Sequence, residues 1–316
     1  MTMQLDRRFF LTAAGLAASG LALSGQAGAE DAKPQAFDIS LAQWSLNRQF
    51  FAFLGRGRGD VDRKLDPKDF ATIAKKEFDI NGIEYVNQFY LEAVKQPGYV
   101  AELKQRASDA GVTNVLIMCD GEGKLGDPDL KKRVTAVRNH IKWLEWAAEL
   151  GCHSIRVNAA SSGSYEEQLK LAADGLRRLC EIGDTYGINV IVENHGGLSS
   201  HGRWLATVMQ MVDNPRCGTL PDFGNFIVER GDVPLEYDRY LGTSELMPWA
   251  KGVSAKSHAF DDQGNETSTD FEKMMKIVLG SGYKGWVGIE YEGQSDSFEG
   301  IKKTKALLES VRTKLT

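Results

Sequence analysis

Short apolar runs alternate with longer amphipathic stretches along most of the chain. The short runs are rich in valine and isoleucine, as is typical of parallel strands that are buried on both faces. We therefore predict eight strands. They are FDISLAQWS (37–45), NGIEYVN (81–87), VTNVLIMC (112–119), HSIRVNA (153–159), INVIVEN (188–194), CGTLPDF (217–223), KGVSAKSH (251–258) and GWVGIEY (285–291).

The amphipathic stretches predict a helix after each strand. Several of them carry helix boundary signals, such as a proline in the first turn of 66–78 and a glycine at the end of 127–151. The pattern is less clear at 96–110, 203–213 and 237–249. The other predicted helices are 165–187, 267–283 and 295–315.

Strict alternation of strand and helix predicts parallel strands that are joined by right-handed crossovers. Such strands form either a doubly wound sheet or a closed barrel. A doubly wound nucleotide-binding fold would show G-x-G-x-x-G after its first strand, and LAQWSLNRQF (41–50) has no such pattern. Eight units in a chain of this length favour an α/β fold of the (β/α)₈ TIM barrel type, as a single domain.

The amino terminus reads as a targeting segment rather than as part of this fold. Arg7 and Arg8 precede an apolar, glycine- and alanine-rich run, and AGA (27–29) places small residues at a cleavage position. We predict a twin-arginine signal peptide over 1–29, a barrel domain over 30–316, and a periplasmic or secreted location reached through the twin-arginine export machinery. The alternative, a stable membrane anchor, is disfavoured because the apolar run is short for a membrane span.

The amino-acid composition bears on which kinds of molecule the protein can bind. The formal charge is −5 and the pI is near 5.7, which argues against nucleic acid because nucleic-acid binding normally needs a basic face. We expect no essential disulfide, since the cysteines fall in apolar strand-like or helical runs, and oligomerisation is left open. The four cysteines are Cys119, Cys152, Cys180 and Cys217.

The chemistry is concentrated at the ends of the last four predicted strands. In order these ends carry Glu193, Asp222, His258 and Glu290. Side chains at the carboxyl ends of neighbouring barrel strands can converge on one ion. Three carboxylates with one imidazole and no thiolate suit Mn²⁺ most of all, with Mg²⁺, Co²⁺ or Zn²⁺ as alternatives.

The same residues carry a family resemblance. The order Glu–Asp–His–Glu within VENHGG, LPDFGN, SAKSH and YKGWVGIEYEG resembles the xylose isomerase-like barrel superfamily of sugar isomerases and epimerases, over roughly 37–310. The resemblance implies that Glu193, Asp222, His258 and Glu290 bind the metal, and that Glu193 and Glu290 also serve as acid and base. One departure is Asn225, since ketose 3-epimerases carry histidine at that place.

Four further side chains are candidate substrate contacts. His195 and Lys256 each lie two residues from a predicted ligand and would share its face of the strand. Arg156 alternates along the fourth strand, where a buried ion pair is the alternative interpretation. Trp44 lies before a long loop (47–66) that could cover the barrel mouth.

The sequence thus predicts an enzyme acting on a small-molecule carbohydrate. The first hypothesis is a divalent-metal-dependent sugar isomerase or epimerase that removes a proton next to a metal-bound carbonyl of an unphosphorylated sugar. The alternative is a lyase that cleaves 3-keto-glycosides by β-elimination. A phosphodiesterase similar to endonuclease IV would need more histidines than the five present. A non-catalytic sugar-binding barrel would not need all four ligands.

Overall fold

The computed structural model describes residues 35–57 and 61–316. Eight parallel strands form one sheet, and a separate antiparallel pair follows the sixth of them. The barrel strands are β1 (Asp38–Ala42), β2 (Gly82–Val86), β3 (Thr113–Met118), β4 (Ser154–Val157), β5 (Asn189–Glu193), β6 (Cys217–Leu220), β9 (Val253–Ser257) and β10 (Trp286–Tyr291). The small pair is β7 (Ile227–Glu229) and β8 (Leu235–Glu236).

The sheet curls so that its two outer strands meet. Its order is β6-β5-β4-β3-β2-β1-β10-β9, and every neighbouring pair is parallel. Single parallel bridges join Thr219 to Ala250 and Asp222 to Ser254 across the remaining gap between β6 and β9. The backbone N–H of Phe223 also donates to the carbonyl of Ser254 at 3.1 Å. The TIM barrel predicted from the alternation is confirmed.

Helices follow the strands and cover the outside of the barrel. Nearby side chains accept hydrogen bonds from the free backbone N–H groups at the start of two of these helices. Asp129 accepts from two N–H groups at the start of the fourth helix, and Ser164 and Glu167 form a capping box at the fifth. In the described residues the helices are α1 (Asn47–Phe53), α2 (Phe70–Phe78), α3 (Tyr99–Asp109), α4 (Leu130–Leu150), α5 (Tyr165–Tyr186), α6 (Gly202–Val212), α7 (Arg239–Leu246), α8 (Phe271–Gly280) and α9 (Ser297–Leu315).

The barrel interior changes character along its axis. Near the amino ends of the strands it is apolar, where Leu116, Ile191 and Leu220 converge on the position of Gly252. Towards the carboxyl ends, buried polar and charged side chains replace these apolar groups. This polar end is where barrel enzymes carry their chemistry.

Two local features differ from the expectations. The predicted first loop begins with α1, whose aromatic residues make it amphipathic enough to pack on the barrel, and residues 58–60 of that loop lie outside the described part. The pair β7–β8 was not predicted, because its strands are only three and two residues long. All four cysteines are buried and free, as expected.

The signal peptide predicted over 1–29 lies outside the described residues, so that boundary and the export route stay predictions. Among the helices described, none is long and apolar enough to cross a membrane.

Candidate active site

Three carboxylates meet at the carboxyl end of the barrel. Glu193 is the last residue of β5, Asp222 follows β6 by two residues, and Glu290 lies in β10. Each offers an oxygen within 4.8 Å of the other two, and their exposed fractions are 1%, 0% and 4%. The structure therefore brings together three of the four predicted ligands, in a group that could hold a metal ion.

Asp222 is held by main-chain and side-chain donors. Its Oδ1 accepts from the backbone N–H groups of Gly224 and Asn225, each at 2.8 Å, and its Oδ2 accepts from the Ser254 hydroxyl at 2.8 Å. Asn194 fixes the same turn, because its side chain accepts from the Asp222 N–H at 2.7 Å and donates to the Asp222 carbonyl at 3.0 Å. The loop after β6 is thus rigidly pinned to β5.

Glu193 is oriented by two neighbours. The Asn225 amide donates to its Oε1 at 2.8 Å, and Arg156 Nε lies 2.8 Å from its Oε2 as an ion pair without an aligned hydrogen bond. Asn225, noted in the sequence as a departure from the ketose 3-epimerases, therefore contacts a site carboxylate. Arg156 forms the ion pair that was the alternative interpretation of this residue.

Arg156 also connects the site to the end of β3. Its Nη1 donates to Asp120 Oδ1 at 2.8 Å, and the Asn158 amide donates to the same oxygen at 2.6 Å. Although burial opposes ionisation, the Arg156 guanidinium lowers the pKa of Asp120 to about 2. Sequence reasoning missed Asp120, although its place directly after a predicted strand was a signal.

Lys256 lies among carboxylates on the other side of the group. Its Nζ is 3.0 Å from Glu290 Oε1, 3.7 Å from Asp222 Oδ2 and 3.5 Å from Glu292 Oε2. Trp44 Nε1 donates to the other oxygen of Glu292 at 2.5 Å. Both residues therefore contact glutamates at the carboxyl end of the barrel. Lys256 forms ion pairs with Glu290 and Glu292, and Trp44 donates a hydrogen bond to Glu292.

The two glutamates have opposite pKa shifts. Burial raises the pKa of Glu193 to about 7, against the attraction of Arg156. Burial would also raise the pKa of Glu290, but the Lys256 ammonium outweighs it and lowers that pKa below its usual value. Burial raises the pKa of Asp222 to about 7 as well, with Lys256 opposing it. Near neutral pH, Glu290 is ionised while Glu193 can hold a proton.

Neither predicted histidine joins the carboxylates. β5 ends at Glu193 and β9 ends at Ser257, so both histidines follow the ends of their strands. His195 is close enough to Arg156, Asp120 and Glu290 for their charges to act on it. Both histidine side chains are exposed. His258 was predicted as the fourth ligand, and that role stays a prediction: the inward positions of β9 beside Asp222 and Glu290 belong to Ser254 and Lys256.

The predicted four-ligand metal centre therefore does not fit the residues that are present. The oxygen donors are assembled, but an imidazole is not among them, and a buried ammonium already contacts two of the three carboxylates. Ser254 contributes a hydroxyl that donates its hydrogen to Asp222 and lies 3.3 Å from Glu290 Oε2.

Other clefts lie away from this group. One cleft, of about 660 Å³, is bordered by Arg48, Arg63, Asp296 and Lys302, and none of the three carboxylates lines it. The rim above the carboxylates is instead polar and partly exposed. It is formed by Trp44, Asp120, Asn158, His195, Asn225, Glu292 and His258.

With this geometry established, comparison with known proteins is informative. A family model described as "Xylose isomerase-like TIM barrel" matches residues 74–313. The chain belongs to the xylose isomerase-like TIM barrel family. This confirms the superfamily that the strand-end residues indicated.

Several solved structures have the same fold. The 3-keto-D-glucoside 4-epimerase of E. coli is 15% identical, with a TM-score of 0.64 over 87% of this chain and 99% of that one. D-psicose 3-epimerase of Clostridium cellulolyticum, solved with D-tagatose, is 12% identical with a TM-score of 0.64 over 88% and 99%. A magnesium complex of a family protein from Mycobacterium smegmatis is 15% identical with a TM-score of 0.65 over 89% and 99%.

One characterised relative matches by sequence. The alpha subunit of a C-glycoside deglycosidase from Arthrobacter globiformis is 32% identical over 85 residues. The match covers 25% of this chain and spans only 22% of the length of that relative.

Proposed function

We propose that this family member is a sugar isomerase or epimerase that moves a proton at the carbon next to a carbonyl group. The observation that carries the proposal is the pair Glu193 and Glu290, two buried glutamates with opposite pKa shifts at the carboxyl end of the barrel. Two carboxyl groups whose environments separate their pKa values are the usual arrangement for an acid and a base.

In this proposal the two glutamates act from two sides of the substrate. β5 and β10 are separated around the barrel by β6 and β9. Glu290, held ionised by Lys256, removes the proton, and Glu193 supplies one from the other side; in the reverse direction the roles exchange. Arg156 and Asn225 orient Glu193, so a single rotamer is presented to the substrate.

The rim supports a polyhydroxylated, unphosphorylated substrate. Asp120, Asn158, Asn225 and Glu292 offer carboxylate and amide groups that suit hydroxyls, and Trp44 offers an aromatic face. The segment after β9, AFDDQGNETSTD (259–270), is acidic and would repel a phosphate. The named activities of the 3-keto-D-glucoside 4-epimerase and D-psicose 3-epimerase are of this substrate class.

The manganese ion expected from the sequence is not part of the proposal. The family includes a magnesium complex and a zinc complex, and the three carboxylates here could hold a divalent ion. However, the imidazole of the predicted centre is missing from the group.

A second candidate is β-elimination from a 3-keto-glycoside. It is favoured by the sequence match to the alpha subunit of a C-glycoside deglycosidase. The first step would be the same, since a carboxylate removes a proton next to the carbonyl. The resulting carbanion then expels the group attached at the neighbouring carbon instead of being reprotonated on its other face.

One NMR experiment separates the two candidates. The protein is incubated in D₂O with free ketoses and with 3-keto-glucosides. Deuterium in an intact sugar next to the carbonyl, together with an epimer or isomer, supports the proposal. Release of the aglycone with an enone assigns the lyase instead. Absence of both exchange and release with every sugar tested contradicts the proposed proton chemistry.

We also propose that the protein is exported folded through the twin-arginine route, on the strength of Arg7, Arg8 and the apolar run that follows. Replacing both arginines with lysine is expected to retain the precursor in the cytoplasm, as seen by fractionation and mass measurement of the amino terminus. Processing and export that continue unchanged would contradict this route.

A further inference from the structure

The strand that was expected to supply an imidazole supplies an ammonium. Ser254 and Lys256 alternate along β9 and both face the carboxylates. In the sheet, Lys256 is paired in register with Glu290 on β10. His258, the expected nitrogen ligand, lies beyond the end of the strand, where its backbone N–H donates to Glu266 Oε1 at 3.2 Å.

The Lys256 ammonium occupies a place that a divalent ion would need. It contacts Glu290 and Asp222, two of the three carboxylates of the group, and its side chain is only 4% exposed. An ion on the same oxygens would lie within a few ångströms of this ammonium, in a buried setting where repulsion between like charges is strong. The two cations are therefore alternative occupants of one site.

The buried charges of the barrel interior favour a cation at this site. Four glutamate and aspartate side chains, Glu84, Glu193, Asp222 and Glu290, are buried there with two cationic side chains, Arg156 and Lys256. Arg156 is engaged by Asp120 and Glu193, which leaves Lys256 as the partner of Glu290 and Asp222. Buried carboxylates are costly unless they are paired or neutralised, so removal of Lys256 would leave these two without a counter-charge.

We propose that Lys256 is the resident cation of this site and replaces the divalent metal ion. The exclusion of the metal depends only on the geometry. The further role of Lys256, stabilising a substrate oxyanion, rests on the proposed function. Its ammonium lies 3.5 Å from Glu292, whose side chain is one-third exposed at the rim, so its outer side faces the entrance.

The proton transfer can be written in full, with every proton and electron pair accounted for, without a metal ion. A glutamate accepts the proton from the carbon next to the carbonyl, and the broken C–H bond supplies the electron pair of a new C=C bond. The carbonyl π pair moves to the oxygen, where the Lys256 ammonium donates a hydrogen bond and keeps its proton. A carboxyl group then returns a proton to carbon and the carbonyl is restored.

The test combines metal content with chemistry. Wild-type protein, K256M and K256R are purified, incubated with excess Mn²⁺, passed over a desalting column and analysed by mass spectrometry. We expect less than about 0.1 metal ion per chain in the wild type and in K256R. In K256M we expect close to one, because the carboxylates have lost their cation. Each variant is also assayed for solvent deuterium exchange into sugars, with and without EDTA.

The outcomes separate the two proposals. Wild-type exchange that resists EDTA, with a loss of 100-fold or more in K256M and a smaller loss in K256R, which keeps the positive charge, supports both. One equivalent of tightly bound metal in the wild type, with exchange abolished by EDTA and restored by Mn²⁺, overturns the Lys256 proposal and leaves the isomerase proposal intact. A metal-free wild type without exchange on any sugar supports metal exclusion and contradicts the proposed function. If K256M does not fold, the wild-type and K256R metal contents still decide the matter.

Discussion

At the scale of single residues, Glu193 shows how a buried carboxylate is prepared for chemistry. Its charge is balanced by Arg156 on β4, and its orientation is fixed by Asn225 from the loop after β6. Asp120 at the end of β3 shares the same guanidinium. The protonation of Glu193 therefore depends on a residue that does not touch it.

This dependence leads to a pH prediction for D120N. The negative charge of Asp120 contributes to the raised pKa of Glu193, so removing it makes Glu193 lose its proton at lower pH. The proposed reaction needs one proton on the pair Glu193 and Glu290, and its rate should fall as pH rises through about 7. We expect this falling limb to move to lower pH in D120N, measured by deuterium exchange. An unmoved limb would show that Glu193 is not the titrating acid.

A second residue prediction concerns Glu84, buried below the site. Ser40 donates to its Oε1 at 2.6 Å, while its Oε2 has no hydrogen-bond partner among the described residues. Burial raises the pKa of Glu84 to about 8 from 4.5. Because the folded-state pKa is the higher one, the stability from this group is fully present below pH 4.5 and is lost as pH rises through 8.

E84Q removes this titration. Relative to the wild type, the variant should gain stability on going from pH 5 to pH 8.5, by up to about 4 kcal/mol, because each unit of difference between the folded and unfolded pKa corresponds to about 1.4 kcal/mol. Urea unfolding at the two pH values measures the change. A difference between variant and wild type that does not vary with pH would contradict the assignment.

The sequence predicted those residues of the site whose position at the end of a strand brings them to the carboxyl end of the barrel. Glu193, Asp222 and Glu290 lie at strand ends, and the structure brings them together. The ligand role predicted for His258 stays a prediction: the group of carboxylates does not include it, and it follows the last residue of β9. Ser254 has no chemical signature of its own, so its role became visible only through its contacts.

At the scale of elements, hydrophobic periodicity was sufficient for the barrel. All eight predicted strands and all eight predicted helices are present, with ends that differ by a few residues. α1 and the pair β7–β8 were not predicted, because elements this short contain too few residues to show a repeating pattern of apolar and polar positions.

Packing of α5 against the loop after β3 gives an element-scale prediction. A Cβ at Gly175 would collide with the backbone carbonyl of Leu125, whereas at Gly280, the exposed last residue of α8, a Cβ meets no atom within 4 Å. We expect G175A to lower the free energy of unfolding by about 1–3 kcal/mol. The matched control G280A should be neutral or stabilising by up to about 1 kcal/mol. Equal effects of the two substitutions in thermal unfolding would contradict this packing.

At the scale of the whole molecule, the barrel combines an apolar base with a polar end that carries more buried carboxylates than cations. All of its strands and helices lie within Gln35–Thr316. A chain that begins at Gln35 is therefore expected to unfold in one cooperative transition, with a melting temperature within about 2 °C of the full-length chain. A larger decrease would show that residues 1–34 contribute to the folded barrel.

The central claim is that buried glutamates of this barrel move a proton at carbon. The most direct test is the rate at which deuterium from D₂O enters a ketose or 3-keto-glucoside, compared between the wild type, E193Q and the exposed-surface control E149Q. We expect a loss of 100-fold or more in E193Q, with unchanged circular dichroism, and wild-type rates in E149Q. Exchange by folded E193Q at the wild-type rate would show that Glu193 takes no part in proton transfer.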